Sequence, residues 1–242
     1  MAGIIYTELL KLRKSIIPWM ILLGGTLPAV IALLTVSSES GAPNRDMLFI
    51  NSLNYMNLIS LLLVAVLTGY IFAGEYYGKT INILFSYPIP RLAFFINKTI
   101  VTLCSVVFIY ITLNVSTIVV GYIYMESIPT ADFLYKLLGF SILAVLINFS
   151  LVPLTILVSI VAKGAAASTA AGLAYVLTYF CFSNSGYAVY IPVCAPNAIL
   201  VEYFISGQID INDLRNMLVT ALITFTLALI SSMGYYSRSD VQ

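Results

Sequence analysis

Six long apolar stretches, separated by short polar breaks, are the feature of this sequence that most restricts its fold. The chain has 242 residues, of which 61% are hydrophobic and 9% are charged, which is more apolar surface than a water-soluble core can enclose. A helix that crosses a bilayer needs roughly 20 apolar residues, and each stretch is long enough. We therefore predict an all-α polytopic membrane protein with a single transmembrane domain over residues 1–242, whose spans cover 16–36, 48–73, 97–122, 137–162, 165–184 and 217–236.

The boundary between the fourth and fifth spans depends on one polar break, at Lys163 and Gly164. A helix that continued through this point would be far longer than one bilayer crossing requires. We therefore predict a tight hairpin turn there. The small-residue run 164–172 that begins at this turn allows close helix packing in lipid. We expect it to pack the fifth span within its own subunit, with a contact between two subunits as the alternative.

The positions of lysine and arginine predict the orientation, because these residues favour the cytoplasmic side of a membrane. If the N-terminus is cytoplasmic, the inner segments hold Lys11, Arg13, Lys14, Lys79, Arg91, Lys98, Lys163 and Arg238, and the outer segments hold Arg45, Lys136 and Arg215. Both termini then lie inside. The first apolar stretch lacks a small-residue cleavage site after a short core, so we expect a retained span of a multi-pass cell-membrane protein.

Two segments outside the spans are predicted to contain short helices. Residues 1–15 mix isoleucine and leucine with charged residues, a pattern typical of an amphipathic helix that lies on the inner membrane surface. The alternative is that they begin the first span and supply a basic orientation signal. The extracellular segment 184–216 contains an apolar run at 198–205, which is too short to cross a bilayer and is expected to form a short helix at the outer leaflet.

The scarcity of reactive side chains argues against several classes of activity. The sequence has no histidine and three cysteines, and the cysteines form no Cys-x-x-Cys pair, which removes the usual parts of histidine-dependent hydrolases, zinc sites and disulfide frameworks. Net charge is +1, without the basic excess that nucleic-acid binding needs. We expect neither catalysis, nor a metal or cofactor site in this chain, nor a nucleic-acid partner.

Four polar residues of the second span are candidates for lining a transport path: Asn51, Asn54, Asn57 and Ser60. They are three residues apart, so on a helix each step drifts by about 60° and the set spreads over roughly half of the surface. Polar side chains at this depth favour helix contacts or wet cavities. Hydrogen bonding between helices and lining a path for an amphipathic substrate therefore both remain open. Asn114 and Asn148, each alone in its span, favour packing.

The connector between the second and third spans, residues 74–91, combines charge, glycine and proline. Glu75 and Gly78 can open a short helix, and Pro88 and Pro90 prevent that helix from continuing. The connector is therefore predicted to be a structured polar segment at the membrane surface, against which a soluble partner could push.

These features together resemble the ABC-2 type transporter permeases. The resemblance covers the whole layout: a surface helix, six spans with both ends inside, and short outer helices before the last span. Its specific residues are those of the connector and the start of the third span: Glu75, Gly78, Thr80, Pro88, Arg91 and Lys98. In size and spacing the chain is most similar to small bacterial permeases for peptide antibiotics and amphipathic peptides, of the bacitracin-resistance and lantibiotic-immunity kind.

The resemblance implies a division of labour between subunits. This chain would move a peptide or other amphipathic substrate outward across the bacterial plasma membrane. It lacks the Gly-x-x-x-x-Gly-Lys-Ser/Thr loop that cradles phosphates, so ATP and Mg²⁺ would be bound by a separate ABC ATPase subunit present in two copies. A second permease, identical or related, would complete the transporter.

The resemblance also implies that the connector is a coupling helix that docks on the ATPase. Its rings and aliphatic side chains would supply apolar contact and its charges would set orientation. The residues expected to take part are Glu75, Tyr76, Tyr77, Gly78, Lys79, Thr80, Ile81, Leu84, Phe85 and Arg91. The alternative is that Glu75 and Arg91 anchor helix ends among the headgroups, while the tyrosines belong to an ordinary aromatic belt.

Two other classes of function are the alternatives. An ion-coupled secondary transporter would need ionisable residues at mid-membrane and often internal repeats, but no span has a central acidic residue and no repeat is evident. A membrane-embedded enzyme would need clustered catalytic groups at one membrane boundary. Glu75, Lys79 and Arg91 form the sole cluster of that kind in the sequence.

Overall fold

The computed structural model describes residues 7, 10–38, 45–77, 91–125, 131–206 and 210–238. Regular structure in these ranges is helical, with a short 3₁₀ turn at Ala188–Tyr190 and no strand. The helices are α1 (Ile17–Ser38), α2 (Arg45–Tyr77), α3 (Arg91–Met125), α4 (Ala131–Val161), α5 (Ala165–Phe182), α6 (Ala195–Ser206) and α7 (Ile211–Arg238).

Six of these helices, all except α6, are long and apolar enough to cross a membrane. The predicted all-α fold with six spans is therefore confirmed. Most helices extend beyond the predicted spans, and α2 continues from Arg45 to Tyr77. The reason is that hydropathy marks only the apolar part of a helix, whereas backbone hydrogen bonding continues into polar residues until a breaker intervenes. The orientation of the termini stays a prediction.

Helix α2 lies at the centre of the bundle and packs against α1, α3, α4 and α5. Its most apolar part is 72% buried, whereas the corresponding parts of α5 and α7 are 17% and 22% buried. Helix α4 is the second central helix and carries α7 on its other side. The large apolar side chains that α5 and α7 leave exposed, such as Leu177 and Leu222, are what a helix in contact with lipid presents.

The contact between α2 and α5 depends on small residues in both helices. A Cβ atom added at Gly172 would lie 2.7 Å from Ala65 Cβ and 3.5 Å from the backbone of Leu62. One turn later in α2, Gly69 lies so close to Ser168 of α5 that an added Cβ would overlap the serine hydroxyl. Each helix thus presents two small residues four positions apart, the spacing that lets helices approach closely in lipid. The prediction that this run packs the fifth span within its own subunit is confirmed.

The turn between α4 and α5 occurs at the predicted residues. Lys163 has φ 50°, in the left-handed region that usually requires glycine. The Lys163 N–H donates to Ile160 O (3.3 Å), and the Gly164 N–H donates to Ser159 O (3.3 Å). This pair of bonds is the Schellman arrangement, which satisfies the last carbonyls of a helix and reverses the chain. The predicted hairpin is therefore confirmed.

Residues 10–16 precede α1 and are held against it by a serine. Residues 10–13 are helical and the chain turns over 14–16. The Ser15 hydroxyl donates to Leu12 O (2.7 Å) and accepts from the Ile17 N–H (3.2 Å), so Ser15 caps α1. Of the predicted surface helix over 1–15, residues 1–6, 8 and 9 lie outside the described part of the chain.

The segment between α5 and α6 folds back over the end of the bundle. Val193 and Cys194 are buried and pack in one cluster with Leu61 of α2, Leu151 of α4 and Tyr179 of α5. This packing positions α6, which contacts both α2 and α4. A short helix therefore occupies the predicted apolar run, while its place in the outer leaflet stays a prediction.

Replacing Gly172 by leucine should push α5 away from α2. The leucine side chain has no room beside Ala65 and Leu62, and overpacking of this kind costs about 2 kcal/mol. We expect a lower unfolding temperature in detergent. Gly139→Leu is the matched control, because nothing lies within 4 Å of a Cβ atom added at Gly139. Equal destabilisation by both variants would contradict the α2–α5 packing.

Burial should make the Cys194 thiol unreactive. Cys194 is 0% exposed, and burial raises the pKa of its thiol from 9.0 to about 11. The thiolate is the reactive form, so at neutral pH Cys194 should react about a hundredfold more slowly than an ordinary cysteine. Its rate should increase with pH up to that pKa. With Cys104 and Cys181 replaced by alanine, we expect a water-soluble maleimide to label Cys194 only after unfolding. The control variant replaces the exposed Asn184 by cysteine and also carries Cys194→Ala. It should be labelled in the folded protein.

Candidate functional site

The four polar residues predicted to face a contact or a path lie on α2 at different depths of burial. Asn57 and Ser60 are fully buried, whereas Asn51 and Asn54 are half-buried. The difference follows from the helical period, which rotates residues three apart around the axis. Asn57 and Ser60 therefore point into the bundle, and these two begin the best-defined polar site in the described residues.

The hydroxyl of Tyr110 joins three helices at the centre of this site. It lies 2.9 Å from Ser60 Oγ of α2 and accepts a hydrogen bond from Asn148 Nδ2 of α4 at 2.6 Å. The Ser60 hydroxyl donates to the backbone oxygen of Asn57 at 2.9 Å. Since each hydroxyl has one proton, the Tyr110 hydroxyl donates to Ser60 when all three bonds exist together. The result is a directional chain of hydrogen bonds from α4 through α3 to α2, which we call the Tyr110 network.

Both asparagine side chains of the Tyr110 network keep an unused acceptor. Asn57 Nδ2 reaches Val193 O at 3.5 Å, and Asn148 Nδ2 also donates to Ala144 O at 3.0 Å. Their Oδ1 atoms are buried and have no hydrogen-bond partner among the residues that the structure describes. An unpaired acceptor in a low-dielectric interior costs free energy. The site can therefore accept hydrogen bonds from a polar group within the bundle.

Two further contacts connect α3 to its neighbours. Asn114 of α3 donates from Nδ2 to Tyr110 O (2.8 Å) and accepts at Oδ1 from the Ser141 hydroxyl of α4 (2.8 Å). The Ser116 hydroxyl has one proton for two acceptors, Gly25 O of α1 (2.6 Å) and Leu113 O of its own helix (2.8 Å). Polar side chains thus link α1, α2 and α4 to α3.

Tyr110 is the central residue that sequence analysis missed. It lies within an apolar run, where a tyrosine resembles one more large apolar residue. The signal that could have found it is its hydroxyl, because a buried tyrosine hydroxyl needs a partner and the membrane interior offers no water. Asn148, which lies three positions before Leu151 in α4, offered the same kind of signal. The sequence does not show, however, which polar residues of different spans lie at the same depth in the membrane.

The structure places the predicted coupling residues only in part. Glu75, Tyr76 and Tyr77 form the last turn of α2, and Arg91 is the first residue of α3. Glu75 therefore does not open a new helix as expected, because no breaker precedes Gly78 and the α2 hydrogen bonding continues. Predicted coupling residues outside the described part of the chain are Gly78, Lys79, Thr80, Ile81, Leu84 and Phe85.

Lys98 joins the two helices on either side of the connector. It is 2% exposed, and its Nζ donates to Ile71 O of α2 at 2.8 Å. The same ammonium lies 5.6 Å from the centre of the Phe72 ring, within range of a cation–π interaction. A buried charge with these two contacts ties the end of α2 to the beginning of α3.

Aromatic rings extend this contact to the last helix. The Phe72 and Phe95 ring centres are 5.8 Å apart with an edge-on geometry, and those of Phe95 and Tyr236 are 5.5 Å apart. Such geometries are favourable for aromatic pairs. The ends of α2, α3 and α7 beside the connector are therefore packed together, and we call Lys98, Phe72, Phe95 and Tyr236 the connector clamp.

A comparison with protein-family models decides the family of this chain. The model described as ABC-2 family transporter protein matches residues 4–180. The chain belongs to the ABC-2 transporter family. A comparison with curated protein sequences gives no match. The matched range contains the connector, Lys98 and every side chain of the Tyr110 network, and it ends within α5.

Membership identifies this chain as a membrane-spanning permease subunit of an ABC transporter. ABC-2 permeases are transport components that work with an ABC ATPase, so the family implies such a partner. The six apolar helices and the family together make it a multi-pass membrane protein. The residues predicted to contact the ATPase stay predictions.

Removing the Tyr110 hydroxyl should loosen the bundle without changing its shape. Tyr110→Phe deletes the contacts with Ser60 and Asn148, and hydrogen bonds between membrane helices average about 0.6 kcal/mol each. We expect a loss of about 1 kcal/mol in the free energy of unfolding, measured by denaturant titration in mixed micelles. Tyr122→Phe, at a 54% exposed position, should leave that free energy unchanged. A Tyr110→Phe variant as stable as the parent would contradict the network.

Proposed function

We propose that this permease subunit exports a hydrophobic or amphipathic substrate, a peptide or peptide antibiotic, with energy from ATP hydrolysis in a separate ATPase subunit. Two permeases, identical or related, and two ATPases form the transporter, and the ATPases bind ATP and Mg²⁺. The proposal rests on the family match together with the connector clamp. This clamp lies at the end of the bundle where α2 leads into the connector and α3 follows it.

The connector clamp supports the proposed coupling. Lys98 joins α2 to α3 directly beside the connector, so a displacement of the connector moves both helices together. Farther from the connector, the Ser60–Tyr110 contact joins α2 to α3 a second time. Asn148 of α4 donates to the same Tyr110 hydroxyl, so α4 is attached to this pair of helices as well. Packed helices with two points of attachment move as one body. ATP binding in the partner would thereby change the contact between the two permeases.

The Tyr110 network supports an amphipathic substrate. The buried side chains of the described residues are mostly apolar, and the polar ones are neutral apart from Lys98. Asn57 and Asn148 keep acceptor oxygens with no partner among the described residues. Peptide N–H groups are donors that such oxygens can receive, while apolar side chains of a peptide match the remaining surface. A path that included these residues would suit a molecule with both apolar and hydrogen-bonding groups better than a small ion.

Copurification with the ATPase encoded beside its gene tests the proposed assembly. We expect the two chains to copurify, and single cysteines placed from Glu75 to Tyr87 to crosslink to the ATPase. A cysteine at Asn184, in the segment between α5 and α6, is the matched control and should give no crosslink. A stably folded permease that never retains the ATPase, or crosslinks equally from both segments, would contradict the docking of the connector.

Changing Glu75 should uncouple hydrolysis from transport. Glu75→Gln removes a charge proposed to orient the connector on the ATPase, so we expect membrane insertion and basal ATP hydrolysis to remain while transport per ATP falls about tenfold, within the range that single residues contribute to coupling between sites. Lys163→Gln changes an exposed charge at the α4–α5 turn and is the control. Coupling at the parental level in Glu75→Gln would refute this role.

A further inference from the structure

A groove lies between the start of the chain's first span and the third helix, and no residue of the Tyr110 network or the connector clamp lines it. It is partly open, has a volume of about 250 Å³ and is lined almost entirely by apolar atoms. One wall is the first turn of α1, with Ile17 and Ile21, and the other is α3, with Cys104 and Phe108. The groove is therefore a partly open slot between two helices.

A single cation, Arg13, stands among the apolar residues that line this groove. The turn that carries it is held by Ser15, whose hydroxyl bonds to Leu12 O and to the Ile17 N–H. These bonds fix the backbone next to Arg13, so the Arg13 side chain begins close to the N-terminus of α1, where the helix dipole favours an anion. Arg13 is exposed, so this end of the groove carries a positive charge. Its neighbour Lys14 is also exposed but is not among the residues that line the groove.

Both walls of the groove lack negative charge. The sequence has no aspartate or glutamate from residue 10 to residue 38, nor within α3 at 91–125. A ligand that matches this surface has an anionic group at one end and an apolar chain at the other. Basic pockets between membrane helices bind anionic lipid headgroups. The guanidinium group of an arginine can donate two parallel hydrogen bonds to a phosphate.

We propose that this groove binds an anionic phospholipid. The phosphate contacts Arg13 at the N-terminus of α1, and part of one acyl chain lies along Ile21 and Phe108 beside Cys104. The lipid fills the space where α1 and α3 separate and so stabilises the pair of helices that Ser116 joins farther along at Gly25. This site does not depend on which substrate the permease exports.

The sole tryptophan of the chain gives a direct test. Trp19 is 68% exposed and follows Pro18, which lines the groove. The full chain is reconstituted in phosphatidylcholine vesicles, and quenching of Trp19 fluorescence is measured with brominated phosphatidylglycerol and with brominated phosphatidylcholine. We expect phosphatidylglycerol to be preferred about fivefold, the effect of one basic residue on an anionic lipid. Equal quenching by the two lipids would overturn the proposal.

Two variants separate the groove from general surface charge. Arg13→Gln should abolish the preference, whereas Lys14→Gln, which removes an equal charge outside the groove lining, should retain most of it. Cys104→Phe keeps every charge but fills the apolar end of the groove, so it should also lose the preference. Equal losses in the Arg13 and Lys14 variants, or full preference in Cys104→Phe, would overturn the proposal.

Inorganic phosphate distinguishes a lipid site from a site for the free anion. Free phosphate has no chain to occupy the apolar part of the groove, so millimolar phosphate should leave the preference for phosphatidylglycerol unchanged. Loss of the preference at constant ionic strength would show that Arg13 recognises the anion alone and would overturn the assignment to a lipid.

Discussion

The absence of water from the hydrocarbon core is the constraint on which the rest of this structure depends. Every backbone group within it must be bonded inside the protein, which leaves α-helices and closed β-barrels, and the described residues of this chain form helices. Side-chain hydroxyls obey the same rule locally: Ser52 donates to Leu48 O at 2.8 Å, and Thr68 donates to Val64 O at 2.7 Å. Such bonds satisfy a polar group without any second helix. Other side chains also bond across helices: Tyr110 contacts Ser60 of α2, and Asn148 of α4 donates to Tyr110 in addition to its own helix.

Helix α2 makes such contacts both at its middle and towards its end. Toward its middle it holds Ser60 and Asn57 in the Tyr110 network, and toward its end it accepts the Lys98 ammonium at Ile71 O. Between these two attachments, Gly69 admits α5 at close range. A central helix with attachments along its length is suited to transmit a displacement, whereas the exposed helices α5 and α7 are suited to face lipid or another subunit.

Sequence analysis predicted the framework of this fold and part of the candidate site. The six spans and the hairpin at Lys163 followed from apolar length and one polar break, because bilayer thickness fixes how long a spanning helix must be. The importance of Asn57 and Ser60 followed from their polarity at depth. The end of α2 was predicted too early, since apolar content falls before helical hydrogen bonding stops, and Glu75 therefore belongs to that helix.

The sequence by itself determined that the chain is a six-span helical membrane protein with a polar connector after its second span, because length, hydropathy and helix-breaking residues are local properties. Only the tertiary structure decided which residues meet. Tyr110 bonds to Ser60, which is 50 positions earlier, and to Asn148, which is 38 positions later. The relative rotation and depth of three helices set those contacts, and they depend on packing at residues such as Gly69 and Gly172. No pattern within one span carries that information.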